Sequence, residues 1–152
     1  MRRWMAAGSV AVALMAGACG GGDDAARTDA SGLTADQRLT TAIIDTGGEM
    51  AFIKAELLTC ADDACLDERL QEMEIVARER IGPLEAAADE AHAECLIDTA
   101  RQQVAALDEY RTARAELQQD APVIAADHVN RANELHDTAL GEVAACAESI
   151  AP

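Results

Sequence analysis

Residues 122–150 read PVIAADHVNRANELHDTALGEVAACAESI, and this stretch carries the clearest structural pattern in the chain. Steps of three and four residues separate the positions that would face a core, which are Val129, Ala132, His136, Ala139, Val143, Cys146 and Ile150. Such spacing places these positions on one face of an α-helix. Because proline is tolerated in the first turn of a helix, Asp120-Ala121-Pro122 predicts a turn immediately before it.

Three more helical patterns precede this one. From Leu33 onward the chain shows no alternation typical of strands and is rich in strong helix formers. Thr34 and Gln37 have the spacing of a capping box, which predicts a helix start. The expected core positions are Leu39, Ile43, Thr46, Met50, Ile53, Leu57 and Cys60; then Leu66, Leu70, Met73, Ala77, Ile81 and Leu84; and, within residues 84–119, Ala91, Cys95, Ile97, Val104, Leu107, Tyr110 and Leu117.

Three interruptions divide these patterns. Gly47-Gly48 predicts a kink or a close contact with another helix, because glycine has no side chain and lowers helix propensity. Asp62-Asp63 predicts a turn with an acidic cap. Gly82-Pro83 predicts a break or a kink, since proline removes a backbone donor. We therefore expect an all-α fold, an antiparallel bundle of three to four helices cross-linked by disulfides.

The disulfides follow from four cysteines in the helical region: Cys60, Cys65, Cys95 and Cys146. The basic start and apolar run of residues 1–18 predict export, and an exported protein favours disulfides over a zinc site. Two residues of an antiparallel helix pair lie level when they are equally far from the connecting turn. The midpoint of Cys95 and Cys146 falls on the turn predicted at residues 120–121, and that of Cys60 and Cys65 on the turn at residues 62–63. This favours the pairs Cys60–Cys65 and Cys95–Cys146 over the two other pairings.

The N-terminus has the layout of a secretory signal peptide, with a basic start and an apolar run ending at Ala18. Leu14-Met15-Ala16-Gly17-Ala18-Cys19 resembles the bacterial lipobox, although Ala16 stands where leucine is usual. The resemblance implies that Cys19 becomes the lipid-modified N-terminus, anchored on the exported side of a bacterial cell membrane or outer membrane. The expected organisation is a signal peptide over residues 1–18, the lipidated cysteine and a flexible Gly- and Asp-rich tether over 19–33, and the helical domain over 34–152.

Charge limits the partners of this chain. The sequence has 28 acidic and 12 basic residues, a net charge of −16, and loss of residues 1–18 would remove two arginines and make it −18. Such a charge repels phosphate, so we expect no nucleic-acid partner. The same field would attract a basic protein. Only 2% of the residues are aromatic, which disfavours sites that stack sugars or bases on aromatic rings.

No catalytic motif is present, so we expect neither enzyme activity nor a cofactor. Asp89 and His92 would share a helical face, as half of a carboxylate-bundle metal site requires, but the second half is missing. His136 is interpreted either as a buried pH-sensitive group partnered by Asp108 or, more simply, as a core-edge residue whose polar side reaches water. His128 lies near a helix start with no evident partner.

Three functions fit these observations. The first is a non-catalytic lipoprotein of the bacterial envelope whose acidic faces bind another protein, such as a basic cell-wall hydrolase of the lysozyme type. The second is metal or small-ligand sensing through His92, His136 and nearby acids. The third is a structural spacer or surface coat. The sequence gives no indication of the oligomeric state.

Overall fold

A computed structural model of the protein describes residues 32–150, with only the backbone of the last one. These residues form no strand and four α-helices: α1 (Ala35–Leu57), α2 (Asp63–Glu90), α3 (Glu94–Leu117) and α4 (Pro122–Ile150). The all-α prediction is confirmed, with four helices rather than three. The predicted signal peptide, Cys19 and most of the predicted tether lie outside the described residues.

The first helix begins as predicted. The Thr34 hydroxyl accepts a hydrogen bond from the Gln37 amide at 3.2 Å, and Gln37 Oε1 accepts one from the Thr34 amide at 2.9 Å. This capping box pairs two amides that a helix leaves free at its start. The buried side of α1 holds Leu39, Ile43, Thr46, Gly47, Met50, Ile53 and Leu57. The predicted core face of α1 is therefore confirmed, except that Cys60 lies beyond the helix and is half-buried.

The connection between α1 and α2 contains the first disulfide. Asp62 Oδ1 accepts a hydrogen bond from the Cys65 amide at 2.9 Å and caps α2, which confirms the acidic cap. Cys60 and Cys65 are bonded, with their Cα atoms 5.4 Å apart. The second disulfide joins Cys95, in the first turn of α3, to Cys146, near the end of α4, across a Cα–Cα distance of 5.9 Å. Both predicted pairs are present.

Pro83 does not end the second helix. Of the two alternatives predicted at Gly82-Pro83, the break does not occur, because α2 continues through Pro83 to Glu90. The third helix therefore does not start near Leu84. A proline inside a helix costs roughly 3 kcal/mol, and packing outweighs this cost here, since Leu84 and Ala77 on the core side are each only 1% exposed. Gly82 and Pro83 themselves face solvent.

The third helix begins instead after a short connection, residues 91–93, and its cap comes from another helix. The N-cap residue, Ala93, offers no side-chain hydrogen bond. Asp36, in the first turn of α1, supplies one: its Oδ1 accepts from the amides of His92 at 2.7 Å and Ala93 at 3.0 Å. This carboxylate pairs the amide of the N-cap residue, Ala93, and that of the preceding residue, His92, and it interacts favourably with the helix dipole.

The connection between α3 and α4 lies at the predicted turn. Asp120 adopts a positive φ of 57°, and the Ala121 amide donates to the Glu116 carbonyl at 3.1 Å. Both features are typical of a Schellman-type helix end. Pro122 is the first residue of α4, where the missing proline N–H removes no helical hydrogen bond.

The four helices pack with α3 against both α2 and α4, while α1 lies on α2 and also contacts α3 and α4. The buried side of α3 holds Leu96, Thr99, Ala100, Gln103, Ala106, Leu107, Tyr110 and Ala113. The predicted core face of α3 is right at Leu107 and Tyr110 but wrong at Cys95, which is exposed, whereas Ile97 and Val104 are only half-buried. Alanines surround much of this helix, so its sequence pattern does not distinguish one face from the next.

The core has two apolar clusters with polar residues between them. One cluster contains Met50, Ala106 and Ala132, and the other contains Ile43, Ala100 and Val143. Along the same helices, Thr46, Gln103 and His136 lie between these positions, and none of the three is more than 1% exposed. We call these three residues the polar layer. Gln103 Nε2 donates to the Ile43 carbonyl of α1 at 3.0 Å.

The packing that stabilises the bundle lies within the described residues. The buried core extends from Leu39 to Cys146, and both disulfides fall inside the same span. The capping box at Thr34 closes its N-terminal end. A unit with its own core is expected to fold independently. The helical domain, taken with the two preceding residues as residues 32–152, is therefore a suitable unit for experiments.

Candidate functional site

His136 lies inside the core rather than at its edge. Its side chain is 1% exposed, and its Nδ1 atom has no hydrogen-bond partner among the described residues. Burial lowers the pKa of the imidazole, Lys54 adds to this effect, and Asp137 opposes it. The expectation that its polar side reaches water is wrong, because α1 covers this part of α4 and joins it through Lys54 Nζ, 2.5 Å from Asp137 Oδ1. Asp108 binds Arg111 at the surface instead, at 3.1 Å.

His128 has a partner that its position in the sequence does not reveal. Its Nδ1 atom lies 2.5 Å from Glu109 Oε2, and Arg131 donates to Glu109 Oε1 at 3.2 Å. The hydrogen bond from His128, together with Arg131, lowers the pKa of the Glu109 carboxyl group. These three side chains connect α3 to α4. They are therefore already occupied by structural contacts.

Asp89 and His92 do not share a helix. α2 ends at Glu90, and His92 lies exposed in the connection before α3, so the predicted half-site on one helical face is wrong. Within residues 32–150, no group of three His, Cys, Asp or Glu side chains is close enough to hold a metal ion. His136 is buried and His92 is in solvent, so the two histidines considered for ligand sensing have very different surroundings.

Ion pairs involve all the basic side chains of the described region. Each of its lysines and arginines lies within ion-pair distance of a carboxylate: Arg38, Lys54, Arg69, Arg78, Arg80, Arg101, Arg111, Arg114 and Arg131. Several of these pairs connect neighbouring helices, as Arg80 of α2 does with Glu49 of α1. Exposed pairs contribute only about 0–1 kcal/mol each to stability. Their larger effect is on recognition, because the cations are already occupied by acids of the same domain.

The rest of the charged surface is acidic. The carboxylates of the described region with no ion pair or side-chain hydrogen bond are Asp45, Asp63, Glu79, Glu85, Asp89, Glu94, Glu116, Asp120, Asp127, Glu134 and Glu148. All four helices and one connection contribute to this set. The negative potential therefore surrounds the bundle, and it attracts cationic molecules most strongly at low ionic strength.

A groove between α2 and α3 combines unpaired acids with apolar surface. Its volume is about 630 Å³, and it is lined by Leu84, Glu85, Ala88, Asp89, Ala91, Ile97, Ala100, Arg101 and Val104. This volume falls in the range of ligand pockets, roughly 300–1,000 Å³. Of the positions expected in the core of the third helix, Ala91 is buried in the core, whereas Ile97 and Val104 are half-buried, and all three line this groove. We call it the α2–α3 groove.

The helix end beside this groove has an unfavourable charge distribution. The last turn of α2 contains Asp89 and Glu90 and no basic residue. Glu90 is paired with Arg38 at 2.7 Å, whereas Asp89 and Glu85, one turn earlier, have no such partner. A helix C-terminus carries about half a negative charge from the aligned peptide dipoles, so cations rather than acids are favoured there. The sequence shows these acids but not the helix end beside them, because its helical pattern continues over residues 84–119.

None of the helices α1–α4 is long and apolar enough to cross a membrane. No protein-family model, curated protein or solved structure matches this chain.

Proposed function

We propose that the protein is a non-catalytic lipoprotein of the bacterial envelope whose acidic helical domain binds a basic protein. The observation that carries this proposal is the pairing of charges. The lysines and arginines of the described region are all matched with acids of the same domain, while carboxylates on every helix remain unpaired. A surface of this kind attracts a positively charged protein and repels anions such as nucleic acids.

The remaining parts of the proposal come from the N-terminal sequence and the cysteines. Cys19 carries the lipid, and residues 20–33 hold the helical domain away from the membrane. The disulfides Cys60–Cys65 and Cys95–Cys146 support an exported location, because such bonds persist in oxidising compartments.

The contacts of the main candidate groups support a non-catalytic role. His128 and Glu109 bind each other between two helices, and His136 is enclosed in the core. The Tyr110 hydroxyl donates to Asn133 Oδ1 at 2.6 Å, and burial raises the pKa of this phenol far above its usual value. These side chains hold the helices together and do not converge on a substrate-accessible site.

Capture of a basic protein tests the proposal. The oxidised helical domain is immobilised, and binding of a basic lysozyme is followed at about 25 mM and about 300 mM NaCl. We expect binding at low salt that weakens at least about tenfold at high salt, because the attraction is between exposed charges. An acidic protein of similar size, applied in place of lysozyme, serves as the control. Absence of capture at low salt, or capture that is insensitive to salt, contradicts the proposal.

A matched variant separates charge from other causes of capture. Replacing Asp45, Asp127, Glu134 and Glu148 by their amides removes four negative charges without breaking an ion pair of the described region. We expect slower association with lysozyme and an unchanged melting temperature. The lipid is tested separately, by intact mass spectrometry of the protein extracted from membranes, where an unmodified Cys19 contradicts the proposed anchor.

A further inference from the structure

The α2–α3 groove has the composition of a site for a group that is apolar in its body and cationic at one end. We infer that it is the contact site for an apolar segment of the basic partner that carries a lysine or arginine next to its apolar side chains. This inference rests on the proposed function, because it names the surface through which the acidic domain would hold that partner. The shape and the charge of the groove support it.

The floor of the groove provides apolar contact. Leu84 and Ala100 are each 1% exposed and form its base, whereas Ile97 and Val104 are half-buried and still accessible to solvent. The small side chain of Ala88 leaves room above this base. An apolar side chain of the partner that enters the groove removes the accessible surface of Ile97 and Val104 from water, which favours binding.

The rim of the groove provides the charge. Glu85 and Asp89 are exposed, lie four residues apart on α2 and have no ion-pair partner in the described region. The negative end of the α2 dipole lies beside them, so three sources of negative potential meet at one edge of an apolar surface. Arg101, the cation that lines the groove, is bound by Asp98 at 3.0 Å. A cationic side chain at the rim would therefore meet two free acids.

Two other surfaces of the described region fit such a segment less well. The outer face of α1 exposes Phe52 and Ile44 at 68% and 53%, but it has one free carboxylate, Asp45, and no helix C-terminus beside it, so its attraction for a cation is weaker than that of the groove rim. A second concavity, beside α3, is lined by Arg111 and Arg114 together with their ion-pair partners Asp108 and Glu74. It therefore offers an incoming cation no free acid.

Substitutions that neutralise the two acids of the rim give the first test. The double variant Glu85→Gln and Asp89→Asn is compared with Asp127→Asn and Glu134→Gln, which remove the same charge from α4. We expect the rim variant to raise the Kd for lysozyme at least about fivefold and the α4 variant to raise it less than about twofold. Equal effects of the two double variants mean that only total charge matters, and they overturn the assignment of the groove.

Filling the groove without changing its charge gives the second test. Ala88→Phe places an aromatic ring in the groove, whereas Ala86→Phe places the same ring on the exposed side of the same helix. Both variants are checked by circular dichroism and thermal unfolding. We expect Ala88→Phe to weaken lysozyme binding and Ala86→Phe to leave it unchanged. If a folded Ala88→Phe variant binds like the unmodified domain, the inference is wrong.

The outcomes distinguish the inference from the proposed function. If the unmodified domain binds lysozyme and every groove variant binds equally well, the groove assignment fails and the acidic-surface proposal stands. If the unmodified domain binds no lysozyme, the proposed function fails, and the groove is tested directly with a short leucine–lysine peptide followed by NMR. Chemical-shift changes confined to residues 84–91 and 97–104 support the groove. Scattered changes, or none, overturn it.

Discussion

Gly47 of α1 lies directly against Leu140 of α4. A Cβ atom at residue 47 would stand 2.5 Å from Leu140 Cδ2 and 2.9 Å from Gln103 Nε2, so either the helices or these side chains would have to move. The neighbouring Gly48 has no atom within 4 Å of the same position. The sequence predicted a kink or a close helix contact at this glycine pair. The close contact is present, and Gly47 is the residue that makes it.

Alanine substitutions at Gly47 and Gly48 are expected to change the free energy of unfolding in opposite directions. Gly47→Ala is expected to lower the free energy of unfolding by about 1–2 kcal/mol, because overpacking outweighs the gain in helix propensity. Gly48→Ala is expected to raise it by about 0.5–1 kcal/mol, since an exposed alanine gains propensity without a clash. Urea unfolding of both variants measures the difference. Stabilisation by both substitutions would show that the contact with Leu140 is not formed.

The cap that Asp36 provides to α3 can be removed selectively. Asp36→Ala is expected to destabilise the domain by about 0.5–2 kcal/mol, the usual cost of a lost helix cap. Hydrogen exchange should also become faster at the amides of His92 and Ala93, because both donate hydrogen bonds to Asp36. Asp45→Ala is the control, since Asp45 is an exposed carboxylate of the same helix with no ion pair or side-chain hydrogen bond in the described region, and it should stay within about 0.5 kcal/mol of the unmodified domain.

Burial of His136 predicts a dependence of stability on pH. Its pKa in the folded state lies below the ordinary value of 6.5, so the unfolded chain takes up the proton at higher pH than the folded one. The stability linked to this group is therefore present above about pH 6.5 and is lost as pH falls below it. We expect His136→Leu to reduce the difference in unfolding free energy between about pH 7.5 and about pH 5.5. His92→Leu, at an exposed position, should not change that difference.

Pro83 is expected to be a net cost to the bundle. It lies inside a continuous helix and faces solvent, so Pro83→Ala should restore a backbone donor and raise the free energy of unfolding by about 1–3 kcal/mol. Pro122→Ala, in the first turn of α4, should change it by much less, because no helical hydrogen bond is missing there. A destabilised Pro83→Ala variant would mean that the proline shapes α2 in a way that the packing requires.

The two disulfides should differ in their contribution. Cys95–Cys146 closes a sequence separation of 51 residues and Cys60–Cys65 one of 5. In the chain-entropy description, loops of these lengths correspond to about 4 and about 2 kcal/mol. Double alanine variants, compared by urea unfolding, should therefore rank in that order. The opposite ranking would indicate that contacts at the α1–α2 turn, rather than loop closure, determine the effect.

Local patterns in the sequence determined the helices, most of their ends and the disulfides. The capping box at Thr34, the acidic cap at Asp62 and the turn at Asp120 depend on residues a few positions apart, so the sequence shows them directly. The pairing of Cys95 with Cys146 could be predicted because antiparallel helices joined by a known turn have a fixed register. The core faces of α1 and α4 could be predicted because their apolar steps are regular.

The tertiary structure alone decided which faces meet. Three contacts join residues that are distant in the sequence. They are the hydrogen bonds from the start of α3 to Asp36, the contact between His128 and Glu109, and the hydrogen bond from Gln103 to the Ile43 carbonyl. The α2–α3 groove depends in the same way on how α3 is rotated about its axis. Alanines make several faces of α3 similarly apolar, so its periodicity leaves that rotation open. Packing against α1, α2 and α4 fixes it, because only one rotation places Leu107 and Tyr110 in the core together with Leu96 and Gln103.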